Sequence, residues 1–313
     1  MTSAINSVAG RLTELLFEEL EWADASPATQ VRWLERAGRL LALPDDQIAF
    51  VIPILTMRLA YLYYWVQNWT EENVLSKLEG NPDASVTRSA RAGFLGYGNV
   101  NRQLFTRLRP LLLSLTAEES APRHGYRRIV GILLSAWRQH DDAGDRLLSS
   151  DDLRAALMTA SDTDRVNALN HLQRWNEDAT SDPPAPDALA DKLAFLEEVW
   201  PRQSFVRSGG AMSALAQIAL TGGEHVAILT EAILPLLTVV ANAAPLGLWW
   251  MHSQDKTVSA NPEEYLAVMS AILPPRARDW PYGVQQLIEK LATIDTLKGD
   301  PRLVDLQRRI AGI

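Results

Sequence analysis

The 313 residues carry 30 basic and 38 acidic side chains, a formal charge of −8, with 47% hydrophobic content and no cysteine. That is enough for a large buried core, either as one elongated array or as two compact domains. The missing cysteines exclude disulfide staples, thiolate zinc sites and a cysteine nucleophile, and with no basic segment ahead of an apolar core in Met1 to Gly10 the expected location is cytoplasmic.

Apolar residues at helical spacing run through the chain, and strand-like alternation is nearly absent. Ile5, Val8, Leu12, Leu15, Leu16 and Phe17 form one stripe; Val31, Leu34, Ala37 and Leu41 form a second. Pro44-Asp45-Asp46 opens a long aromatic-rich helix, in which Pro53 and Arg58 interrupt the apolar stretch 48–66. Asn81-Pro82-Asp83, Asn261-Pro262-Glu263 and Asp300-Pro301 each place a capping side chain before a first-turn proline, the order that helix starts favour. Ser150-Asp151-Asp152 predicts another start. Residues 232–251 are uncharged and long enough to cross a bilayer, yet Pro235, Asn242 and Pro245 divide them into shorter helices. Buried core helices are expected for both apolar stretches, with no membrane partner. Val284, Leu287, Ile288 and Leu291, then Leu303, Val304, Leu306 and Ile310, make the last stripes.

One pattern occurs twice. Ala90, Phe94, Leu95, Gly98, Leu104, Leu108, Pro110, Leu111 and Leu112 align without a gap, 125 positions on, with Leu215, Ala219, Leu220, Gly223, Leu229, Ile233, Pro235, Leu236 and Leu237. Apolar positions on both sides of a glycine break are what a duplicated helical hairpin leaves, and the offset holds three units of about 42 residues, in the HEAT-like range. The expected fold is therefore all-α: HEAT-like helical hairpin repeats, an α-solenoid or an irregular helical array. Residues 180–187, Thr-Ser-Asp-Pro-Pro-Ala-Pro-Asp, stop a helix and read as a linker or a long inter-repeat loop. The expected organisation is an N-terminal helical segment (1–80), helical repeats with an arginine-rich first part (81–180) and C-terminal helical repeats (187–313).

Charge is uneven along the chain. Residues 84–128 hold eight arginines (Arg88, Arg91, Arg102, Arg107, Arg109, Arg123, Arg127, Arg128) against Glu118 and Glu119, a local net of +6, whereas 140–200 carry a net of −9. Arginines interleaved with Phe94, Tyr97, Phe105 and Tyr126 suit stacking on bases or gripping phosphates, so these arginines with Tyr97 and Tyr126 are the candidate partner- or phosphate-binding residues. The competing reading is a solvated face paired with the acidic segment beside it. Ten tryptophans add large side chains. Trp65, Trp69, Trp137, Trp175, Trp200, Trp249, Trp250 and Trp280 fall near predicted helix ends, where they fill steps between repeats or anchor a partner.

Catalytic patterns fail one by one. Gly96-Tyr97-Gly98 begins a dinucleotide fingerprint that Asn101 does not complete and no strand precedes. There is no Gly-Lys-Ser/Thr phosphate loop, His-Glu-x-x-His helix or Gly-x-Ser-x-Gly elbow. His140, Asp141, Asp142 and Asp145 form the one dense group of possible ligands, without the alternation that wraps calcium. His171 is expected at a repeat interface, and Glu197, Glu198 and Trp200 at a helix end before Pro201. No metal, no cofactor, no small-molecule substrate and no enzymatic activity are expected.

Four stretches (195–202, Phe-Leu-Glu-Glu-Val-Trp-Pro-Arg; 213–220; 233–237, Ile-Leu-Pro-Leu-Leu; and 273–283, with Leu-Pro-Pro and Trp-Pro-Tyr-Gly) resemble the C-terminal helical region of long bacterial sirtuin-like anti-phage defence proteins. The resemblance covers most of the chain after about Leu75. It implies a recognition or scaffold arm coupled to an effector, with the NAD-consuming chemistry in a separate N-terminal nucleotide-binding domain whose motifs no residue here matches. The expectation is thus a non-enzymatic interaction or sensor module with a protein partner or effector, nucleic acid being the alternative partner through 84–128.

Overall fold

A computed structural model of the chain describes residues 2–22, 26–116, 123–175, 188–240 and 255–312. These are helices and their connections: the protein is all-α, and an isolated bridge between His140 and Arg146 is the sole β-type pairing among the described residues. The chain divides into two compact units, Met1–Leu147 and Leu148–Ile313.

The first unit comprises α1 (Val8–Trp22), α2 (Pro27–Leu41), α3 (Asp45–Met57), α4 (Leu59–Trp65), a π turn at Glu71–Leu75, α5 (Ser85–Tyr97), α6 (Arg102–Leu115) and α7 (Arg123–Arg138). Helix α2 starts where the Ser26 hydroxyl accepts the Thr29 N–H at 3.2 Å, leaving Pro27 in the first turn, where it lacks only a donor that would be orphaned anyway. Its buried residues are Trp33 and Ala37, while Val31 is 56% exposed, so the inward stripe is rotated from the expected one. Trp33 collects Phe17, Trp65 and Trp69 edge-on at 5.4–5.8 Å and donates its indole N–H to the Leu16 carbonyl at 3.0 Å. The long aromatic helix expected from Pro44 breaks at Arg58, bending 76° between α3 and α4. Among the described residues no single helix is long and apolar enough to cross a membrane.

Helices α3 and α5 form the centre of this unit. A Cβ on Gly93 would lie 2.2 Å from the Pro53 carbonyl oxygen, and the Thr56 hydroxyl reaches the Ala90 carbonyl at 2.9 Å, so the two backbones touch. Asn81-Pro82-Asp83 does not start α5. The Asn81 side chain accepts the Asp83 N–H at 2.9 Å, closing a local turn, and the helix begins later at Ser85.

The second unit comprises α8 (Ser150–Thr159), α9 (Asp162–Arg174), α10 (Ala188–Ala194) running into a π turn at Phe195–Val199, α11 (Gly209–Leu220), α12 (Val226–Ile233), α13 (Pro262–Ile272), α14 (Val284–Leu291) and α15 (Pro301–Ala311). Ser149 and Ser161 cap α8 and α9 by accepting N–H bonds from Asp152 and Asp164. Helix α11 is buried nearly all round, and Tyr265 of α13 donates its hydroxyl to the Leu220 carbonyl at 3.3 Å; burial pushes that phenol up to about 12. Asn261 precedes Pro262 as expected, but its amide donates to the Thr257 carbonyl rather than capping α13.

Both units run through the same order: a serine-capped helix (α2, α8), an aspartate-started helix (α3, α9), a π turn, then a helix pair (α5–α6, α11–α12). Gly98 caps α5 and Gly223 follows α11, whereas Pro110 sits inside α6 and Pro235 in a short 3-10 turn after α12. The division at Leu147 differs from the expected boundaries. Helix α3 packs on α5, and Arg91 and Arg107 bind Leu78, Glu71 and Glu79, which joins 1–80 to the helices that follow. The expected linker 180–187, Trp249 and Trp250 lie outside the described residues.

Candidate functional site

The candidate arginines sit on α5, α6 and α7, and among the described side chains Arg88, Arg91, Arg102, Arg107 and Arg128 are bonded within the first unit. Arg107 grips Glu79 with two bonds at 2.6 and 2.9 Å and Glu71 with a third at 2.8 Å; the other Glu71 oxygen accepts the Tyr63 hydroxyl at 3.0 Å. Glu79 above all raises the Arg107 pKa, and burial followed by Glu71 raises that of Tyr63. Arg128 donates to the carbonyls of Gly98 at 3.0 Å and Gly96 at 3.2 Å, closing the C-terminal turn of α5. Gly96-Tyr97-Gly98 is thus a helix end, with Tyr97 59% exposed. Arg102 binds Asp142 and the His140 carbonyl, both at 2.7 Å, a pairing with the acidic stretch that the sequence suggested. Arg88 donates to the Asp83 carbonyl and Arg91 to the Leu78 carbonyl, and Arg109 is half-buried on α6. Arg123, Tyr126 and Arg127 lie in the first turns of α7, with side chains outside the described residues.

Of the exposed carboxylates after His140, Asp142 meets Arg102 and Asp141 folds back onto its own loop. Asp141 accepts the N–H groups of Ala143 and Asp145, both at 2.9 Å, with Gly144 supplying a φ of 89°. No group of three metal-ligating side chains occurs among the described residues. His171 lies half-buried on α9, its pKa lowered by burial and then by Arg174.

The second unit builds a site that sequence inspection did not find. Pro274-Pro275 ends α13, and the chain turns through Ala277–Asp279 and folds back as the Trp280 indole donates to the Pro274 carbonyl at 2.7 Å. Opposite lies the last turn of α15, which Gly312 closes in the left-handed region at φ 74°. Between them is an open cleft of about 620 Å³, with Arg276, Arg278 and Arg309 on its walls, apolar Pro275, Ala277 and Ile310 among them, and no carboxylate in its described lining. Arg309 is fixed by Asp305 at 2.6 Å and by the Leu273 carbonyl at 3.4 Å. Arg276 is exposed and the Arg278 side chain is 74% exposed, with Asp279 at 3.8 Å. Tyr282 stands 87% exposed just beyond, in the Trp-Pro-Tyr-Gly stretch. The sequence signal was a pair of arginines between Pro-Pro and Trp-Pro, with the third arginine far along the chain. No family model, curated protein or solved structure matches the chain.

Proposed function

We propose that the protein is a non-enzymatic helical interaction module that docks a protein partner or effector, acting in the cytoplasm as the sensing or assembly part of a bacterial anti-phage defence system. The arginine-lined cleft carries this reading. Two exposed guanidinium groups, a third held rigid and an apolar surface between them suit an acidic peptide segment that also presents an apolar side chain. The cleft abuts the Trp-Pro-Tyr-Gly stretch that carries the sirtuin-associated resemblance, which supports the defence context and coupling to an effector domain or partner. The shared order of elements in the two units supports a repeat architecture.

The test is affinity capture from the host with the wild-type chain and with R276E/R278E. A partner retained by the wild type and lost by the variant supports the cleft, and an unchanged set of partners overturns it. Nucleic-acid binding through 84–128 is the second reading, favoured by exposed Tyr97 beside the Arg128 cap. An affinity for single-stranded nucleic acid that falls steeply with salt would support it, whereas the cleft variant would leave that affinity unchanged.

A further inference from the structure

The amino-terminal apolar stripe splits in two when folded. Ala9, Thr13, Leu16 and Phe17 of α1 face the unit's own core, and Leu16 offers its carbonyl to Trp33. Val8, Leu12 and Leu15 point away from it, 80%, 48% and 52% exposed. At helical spacing these three fall within an arc of about 60°, the d, a and d positions of a heptad seam. Single exposed aliphatics are ordinary, but three in register on one helix are not explained by the packing of this unit.

The charges around the seam specify what covers it. Arg11 and Glu18 both occupy g positions, one heptad apart on the same flank and opposite in sign. Both are exposed, and neither has an ion-pair partner among the described residues. The other flank is closed, because the e positions, Ala9 and Leu16, are buried within the unit. A parallel partner brings g against e and leaves both charges unmatched. An antiparallel copy brings g against g, so that Arg11 of each chain meets Glu18 of the other, twice by symmetry. The same pairing corrects an intrinsic mismatch: Arg11 lies in the first turn of α1 and Glu19 in the last, each at the unfavourable end of the helix dipole. Glu19, the next seam position, pairs with Arg36 and ends the apolar run.

From this juxtaposition we infer that α1 is a self-association site, pairing antiparallel with α1 of a second copy of the chain. One helix pair covers less than a standard interface of about 1,600 Å², so the dimer is weak and forms across the micromolar range.

Sedimentation equilibrium of the intact chain tests this. Wild-type protein is expected to shift from monomer to dimer with concentration, and L12E/L15E to stay monomeric with an unchanged circular dichroism spectrum. R11E and E18R are each expected to weaken association about tenfold, through two lost pairs per dimer. R11E/E18R, which restores both pairs with the signs exchanged, returns association to the wild-type level. A wild-type chain that remains monomeric throughout overturns the inference by assigning the seam to another occupant. A dimer indifferent to L12E/L15E, or a double reversal as weak as either single change, also overturns it.

Discussion

In each unit a helix that begins on aspartate crosses a helix rich in small residues, yet the crossings are sealed in different ways. Where α3 meets α5 the contact is backbone on backbone: Gly93 leaves 2.2 Å between a would-be Cβ and the Pro53 oxygen and 2.5 Å to the Thr56 hydroxyl. Where α9 meets α11 it is made by side chains: a Cβ on Gly210 would meet the end of Val166 at 3.0 Å, with the Ser208 and Asp162 side-chain oxygens at 3.8 and 3.9 Å. Beside that contact Arg165 is buried, donating to the carbonyls of Ala160 and Leu157 with Asp162 at 4.0 Å, and burial lowers its pKa. A contact between two backbones cannot relax without moving a helix, whereas a side-chain tip can turn aside.

The sharpest break of that contrast is G93A, expected to cost the first unit about 3 kcal/mol or more, read as a lowered urea midpoint. Next is R107A, which leaves Glu71 and Glu79 without their shared cation. About 1–2 kcal/mol is expected, with R107K recovering part of it because it keeps the charge but not the two-pronged geometry. In the second unit D300A removes a side chain that accepts the Arg302 N–H at 2.8 Å at the start of α15, for about 1 kcal/mol. The Arg302 bond lowers the Asp300 pKa, so its contribution is full above the ordinary 3.8 and fades as pH falls through the folded value.

His171 gives a smaller acid-side effect. Burial lowers its pKa, so the folded state binds a proton less readily than the unfolded one, and stability is full above 6.5 and declines as pH falls through the depressed value. Melting curves taken from neutral into acid should show this decline, and H171Q should flatten it. Smallest is G210A, expected within about 1 kcal/mol of wild type in either direction, since the push on Val166 opposes a gain in helix propensity of similar size. A loss as large as that of G93A would show that the second crossing is as tight as the first.

Helix starts were the most legible features. Pro262 and Asp300-Pro301 lie where their residue types put them, because a cap is satisfied within a few residues. Asn81-Pro82-Asp83 had equal credentials and made a turn instead, since an asparagine side chain serves either purpose at the same short range. Trp33 escaped notice because its part is set by Phe17, Trp65 and Trp69, which reach it from other helices. The arginines of 84–128 were legible as a cluster, but not their partners: Arg107 closes on Glu71 and Glu79, outside the segment that defined the patch. The cleft was illegible for the same reason, Arg309 coming from a different helix than Arg276 and Arg278.

By itself the chain determined that this protein is built of helices and roughly where they begin, because periodicity, prolines and capping side chains act through bonds only a turn or two long. Which side of α1 faces inward, which arginines are spent on carbonyls and which line an open cleft were decided only in three dimensions. Burial and ion pairing depend on groups that the folded backbone brings together from far apart in the chain.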